Sequence, residues 1–82
     1  MNFRGYSIRD AKADSFGLPF YVKLEGEALR HLQGLVNDDR TTISKFPEDF
    51  DLYFVGEFDQ NTGKFEPVVP VHVKHASTLV QQ

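Results

Sequence analysis

An 82-residue chain without a single cysteine has to hold its fold with one hydrophobic core, unbraced by disulfides. A domain of that size buries only about 60–65% of the surface its unfolded chain exposes, which leaves a narrow margin of stability. The usual supplements are disulfides, a structural metal or oligomerisation. Disulfides and thiolate metal sites both need cysteine, so assembly into a dimer or larger homo-oligomer is the expected supplement. Aromatic mass makes the core feasible. Eight phenylalanines and three tyrosines bury large areas per residue. With 40% hydrophobic residues the chain is expected to fold rather than remain disordered.

Patterning along the chain points to an α+β domain with β-β-α-β-β order, a small antiparallel or mixed sheet carrying one helix on one face. Phe3 to Ile8 reads as a first strand whose alternation breaks near Gly5, where a bulge or a close backbone contact is expected. Asp10 to Ser15 is turn-like. Phe20, Val22 and Leu24 then alternate with Tyr21 and Lys23 in a second strand. Ala28, Leu32, Leu35 and Val36, widened by Leu29, give the stripe of a helix over residues 25–36. Glu25 and Glu27 suit its first turn, Asn37 its C-terminus, and Gly34 marks close packing or an early end.

Pro47 followed by Glu48 and Asp49 predicts a single helical turn, fastened to the core by Ile43, Phe46 and Phe50. Leu52 to Phe58 is apolar on both faces, with Leu52, Phe54 and Phe58 on one and Tyr53 and Val55 on the other. Such a strand is central or covered by a partner. Asp59 to Gly63 is a hairpin loop, and Lys64 to Val69 returns as an edge strand because Pro67 cannot donate to a ladder. The domain is thus read as residues 1–69, and residues 70–82 as a C-terminal extension, flexible or ordered by assembly, ending in a frayed Gln81-Gln82.

Catalytic chemistry finds no foothold. His72 and His75 have H-x-x-H spacing but lie outside any helical pattern and lack a third spaced ligand, so no metal site and no cofactor is expected. His31 belongs to the polar face of the helix. The Glu48, Asp49 and Asp51 cluster reads as helix capping. No serine has a nucleophile-elbow context, and the glycines are too scattered for a phosphate loop. The expected role is binding, not catalysis. No basic segment followed by an apolar run opens the sequence, and no apolar run approaches the roughly 20 residues that cross a bilayer, so no membrane partner is expected.

The formal net charge of −3 argues against a strong generic grip on nucleic acid. Its distribution is uneven. Residues 1–24 carry Arg4, Arg9, Lys12 and Lys23 against Asp10 and Asp14, whereas residues 38–66 hold eight acids against Arg40, Lys45 and Lys64. Arg4, Tyr6, Arg9, Lys12, Tyr21 and Lys23 combine positive charge with aromatic rings on two strands, the composition of a single-stranded nucleic-acid platform. Tyr53, Val55 and Phe65 are the candidates for an oligomer interface.

The string Phe16-Gly17-Leu18-Pro19-Phe20, then Ala28-Leu29-Arg30 and Val36-Asn37-Asp38, resembles the small nonstructural protein of gokushovirus-type microviruses. The stronger match is Phe46-Pro47-Glu48-Asp49-Phe50-Asp51-Leu52-Tyr53, continuing into Gly56-Glu57-Phe58-Asp59 and Thr62-Gly63. The resemblance covers residues 3–67. Phe16 stands where that family often has Tyr, and Phe46 where it often has His; both are conservative in size. The resemblance implies a nonstructural protein of the host bacterial cytoplasm that assists single-stranded DNA genome synthesis or packaging, binding single-stranded DNA as an oligomer. The alternative is a protein–protein adaptor engaging the replication initiator, the procapsid or a host factor.

Overall fold

The computed structural model describes residues 2–81. Its spine is a long antiparallel pair. Strand β1 (Asn2–Asp10) runs beside β4 (Phe50–Asp59) from Asn2 opposite Asp59 to Asp10 opposite Phe50. The outer edge of β1 is shared by two short strands, β2 (Ser15–Phe16) against Arg9 and Asp10, and β3 (Phe20–Val22) against Arg4 to Tyr6. Strand β5 (Phe65–His75) closes the other edge by pairing with β4. Every pairing is antiparallel, which settles the choice between an antiparallel and a mixed sheet.

The element order departs from β-β-α-β-β by the additional strand β2. Asp10 Oδ1 accepts the backbone N–H groups of Lys12 and Ala13, and Asp14 takes a positive φ of 53°. That reversal, which Asp tolerates better than most residues, returns Ser15-Phe16 antiparallel to the end of β1. Gly5 makes the close backbone contact expected there, with the Gly56 carbonyl, but β1 itself alternates without a break: the register shift between Gly5 and Tyr6 comes from an extra residue on β4.

Helix α1 (Glu25–Val36) has the boundaries its periodicity predicts and buries Ala28, Leu32 and Val36 on one sheet face. These meet Tyr6, Phe50 and Leu52, with Ile8, Phe20, Val22, Leu29 and Phe54 packed around them. Burying a leucine such as Leu32 completely contributes about 1.5–3 kcal/mol. The Glu27 carboxylate accepts the N–H groups of Lys23 and Leu24 at the helix start. Gly34 neither packs against the sheet nor ends the helix, since a Cβ there would meet nothing within 4 Å.

Beyond α1, Thr41 caps a short helix, α2 (Thr42–Lys45), by accepting the Ser44 N–H while its hydroxyl donates to the Leu35 carbonyl. Pro47–Asp49 forms the expected single turn, of 3₁₀ type. Phe50 and Ile43 do join the core, but Phe46 is 51% exposed. The hairpin loop closes as expected, with Asp59 accepting the Asn61 N–H and Gly63 at φ +76°.

The boundary drawn at Pro70 falls inside a strand. β5 continues to His75 and leads into a 3₁₀ turn, Ala76–Leu79, whose Ala76 is fully buried. The two prolines are accommodated because β5 is an edge strand and its register slips between the pairs at Phe54 and Gly56. The tail is clipped to the helix end. Asn37 Nδ2 donates to the carbonyls of Gln33 and Leu79, and its Oδ1 accepts the Gln81 N–H. Of the two residues expected to fray, Gln81 is held by that bond and Gln82 lies outside the described residues.

Candidate functional site

All the helical elements pack on one face of the sheet, so the side chains on the other face depend on strand parity. Tyr6 and Ile8 in β1 pair with Phe54 and Leu52 on the covered face, which places Ser7 and Arg9 opposite Tyr53 and Asp51 on the open one. The register shift leaves Val55 as an extra residue between Phe54 and Gly56. Parity in β4 therefore flips, and Phe58 shares a face with Tyr53 rather than with Leu52 and Phe54 as straight alternation would have it. Val55 itself is half-buried at the bulge.

The open face carries two aromatic groups. At one end Tyr21 lies 5.9 Å from the Phe58 ring and 6.2 Å from Phe65, centroid to centroid. These rings fit because Gly5 and Gly56 face each other beneath them. A Cβ on Gly5 would approach Tyr21 Cε1 to 3.1 Å, and one on Gly56 would approach Phe65 Cζ to 2.6 Å. At the other end Tyr53 meets Phe16 edge-on at 5.2 Å and His72 edge-on at 5.4 Å. The Arg9 guanidinium lies 6.0 Å from the centre of the Phe16 ring and donates to Asp14 Oδ1 at 2.6 Å. Between the two ends Ser7 is buried, its hydroxyl donating to the Gly17 carbonyl in the segment linking β2 to β3. Phe16 at 46%, Tyr21 at 45% and Phe65 at 39% remain substantially exposed.

Of the six residues expected to form one basic aromatic surface, Arg9 and Tyr21 stand on this face, and Lys23 is exposed two positions beyond Tyr21. Tyr6 does not belong to it. Its ring is completely buried against Phe20 and Phe54, and a ring with no accessible face cannot stack on a base. The Tyr6 hydroxyl accepts from Arg4 Nε at 2.7 Å and donates to Glu25 Oε1 at 3.0 Å. Burial pushes the Tyr6 phenol up from its ordinary range, against the opposing pull of the Arg4 hydrogen bond. Arg4 is held in the same network, 4.2 Å from the Phe54 ring centre and 3.7 Å from Glu25. Both are thus engaged in a network on the covered side of the sheet. Lys12 lies in the turn after β1, beside a cavity of about 300 Å³ bordered by Phe46, Asp49 and Phe50. The suggested interface residues Tyr53 and Phe65 are on the open face.

Phe16 and Phe58 stand outside the expected surface, and the histidine pair, whose spacing suggested only a metal site, meets a carboxylate instead. His72 Nε2 and His75 Nδ1 each lie 2.8 Å from Asp51 Oδ1. Burial pushes the Asp51 carboxyl up, but the hydrogen bonds from His72 and His75 outweigh it and hold the group below the usual carboxylate range. The alternation of Val71-His72-Val73-Lys74 signals a strand, but a period of two would set His72 and His75 on opposite faces; the register shift that leaves Val73 unpaired brings them to one. His31 is exposed as expected and packs 4.7 Å from the Phe20 ring on the covered side. Among the described residues no group of three or more His, Cys, Asp or Glu side chains could hold a metal ion, and no helix is long and apolar enough to cross a membrane.

The model of a family described as "Phage ORF5 protein" matches residues 3–79, from β1 through the C-terminal turn. The chain belongs to the phage ORF5 protein family. Protein ORF5 of Chlamydia phage 1, a gokushovirus-type microvirus, is 37% identical over 67 residues, covering 77% of this chain and 70% of that protein. This ORF5 family member is therefore a phage protein, and its family is not named for an enzymatic activity. No solved structure matches the chain.

Proposed function

We propose that this phage protein acts by binding, without catalysis, and that its ligand is single-stranded DNA laid along the open sheet face during genome synthesis or packaging in the host bacterial cytoplasm. The observation that carries this reading is the pair of aromatic groups, exposed Tyr21 and Phe65 with half-buried Phe58, and exposed Phe16 with half-buried Tyr53, on a face that no helix covers. Unpaired bases present flat faces to such rings, and each stack is worth about 1–3 kcal/mol. Cations near the face are few, and Arg9 is already paired with Asp14. The grip would thus rest on stacking more than on phosphate neutralisation. Copies would assemble through the apolar exposure of edge strand β5, where Val69 is 86% and Val71 54% exposed.

Fluorescence anisotropy with a labelled oligo-dT, a duplex control and two salt concentrations tests the reading. The single strand should bind better than the duplex. Contact with only one or two phosphates limits the slope of log K against log salt to about −0.7 to −1.4. Tyr21→Ala should cost about 1–3 kcal/mol of affinity, and Arg9→Glu should weaken binding further. Absence of binding at low salt refutes direct DNA recognition. Light scattering should show a dimer or larger species, and a monomer at micromolar concentration refutes the assembly.

A second reading, an adaptor for a phage replication or capsid protein or a host factor, is favoured by the cavity beside exposed Phe46 and the acidic character of residues 38–66. A Phe46→Ser variant that keeps DNA binding but loses a partner recovered from infected cells would support it. Recovery of nucleic acid alone counts against it.

A further inference from the structure

One rim of the open face carries a cluster that stacking alone does not use. A register shift between Leu52 and Tyr53 lets two histidines of β5 reach one carboxylate: His72 Nε2 and His75 Nδ1 share Asp51 Oδ1 at 2.8 Å each. The His72 side chain is 50% exposed and that of His75 36%. His72 also stands edge-on to Tyr53, so the cluster adjoins the aromatic platform. The other groups facing it are Arg9, which is opposite Asp51 on β1, and Asp14, which is paired with Arg9. Lys74, between the histidines, is opposite Leu52 on the covered side.

Each imidazole directs one nitrogen to Asp51 and leaves the other, Nδ1 of His72 and Nε2 of His75, away from it. In a neutral ring that donates to the carboxylate, the remaining nitrogen is a lone-pair acceptor and repels a phosphate oxygen. Protonation turns it into an N–H donor. The charge changes in the same direction. With neutral imidazoles, Arg9, Asp14 and Asp51 leave the rim with net negative charge; two imidazolium ions make it net positive.

We propose that Asp51, His72 and His75 form a proton-gated phosphate contact at the rim of the open face, which tightens its hold on single-stranded DNA as pH falls below neutrality. Asp51 aims the rings, and the two outward nitrogens meet a phosphodiester only when they carry protons. This inference rests on the DNA reading above, whose own failure has a different signature.

The test is oligo-dT anisotropy at constant low salt, at about pH 8 and about pH 6, the interval in which histidine changes charge. The natural protein should bind about tenfold or more tightly at the lower pH, the worth of one charge-assisted hydrogen bond. In a His72→Gln/His75→Gln variant, checked for fold by circular dichroism, that ratio should shrink to the part contributed by His31 and other groups. Asp51→Asn supplies a second measurement, because losing the carboxylate that aims the rings and favours their charged form should shrink the same ratio. An equal pH ratio in the natural protein and the double variant overturns the gate while leaving the DNA reading standing, as does an Asp51→Asn protein that keeps the full natural ratio. No binding at either pH overturns both.

Discussion

Replacing Gly56 with alanine should cost far more than adding a methyl group normally does, and the structure indicates how much. Gly56 sits at φ +153°, a region that L side chains rarely adopt, beside the bulge that flips the parity of β4. Holding a non-glycine residue there costs about 1–3 kcal/mol. The new Cβ would also lie 2.5 Å from the Glu66 carbonyl oxygen and 2.6 Å from Phe65 Cζ. The ring can swing toward solvent, but the carbonyl belongs to the paired strand and yields only if the β4–β5 ladder opens. Overpacking of that kind adds about 1–3 kcal/mol. The sum, about 2–6 kcal/mol, is a large share of the roughly 4–12 kcal/mol expected for a domain of this length. Urea unfolding followed by far-ultraviolet circular dichroism is the assay, and Gly34→Ala is its control. The chemical change is identical, yet Gly34 is exposed in the last turn of α1 with open space where a Cβ would sit, so alanine there should stabilise by up to about 0.5–1 kcal/mol. A Gly56→Ala protein within about 0.5 kcal/mol of the natural one, which is the range of an ordinary surface change, would refute the reasoning.

Two further predictions concern the tail and the acid limb. Asn37→Ala removes the side chain that joins the end of α1 to the Leu79 carbonyl and the Gln81 N–H, and should lower stability by about 1–2 kcal/mol. Amide exchange should accelerate first in residues 76–81, and unchanged protection there would contradict the clip. The Asp51 carboxyl is held below the usual range in the folded state, so its contribution is present above the unfolded value near about 3.9 and is lost as pH falls through the folded one. The stability advantage of the natural protein over Asp51→Asn should therefore narrow as thermal melts are taken below about pH 4; an advantage that stays constant to lower pH would argue against it.

What the sequence determined by itself was everything governed by neighbours a few positions away. The stripe from Ala28 to Val36, acids in the first turn and Asn37 at the end specify α1 to the residue. Pro47 with Glu48 and Asp49 specifies a turn, and Asp59 to Gly63 a hairpin, because capping and turn chemistry act over three or four residues. The absence of cysteine and the weight of phenylalanine likewise set the kind of core. Tertiary structure decided which side chains face outward, and with them the candidate site. A single bulge residue, Val55, moves Phe58 to the face of Tyr53, and nothing local announces it, because parity depends on which residue of a distant strand lies opposite. Tyr6 can be read as a stacking platform or as core until the pairing of β1 with β4 buries it under α1. His72 and His75 gain meaning only when β5 continues past Pro70 and Asp51, more than twenty positions earlier, arrives between them.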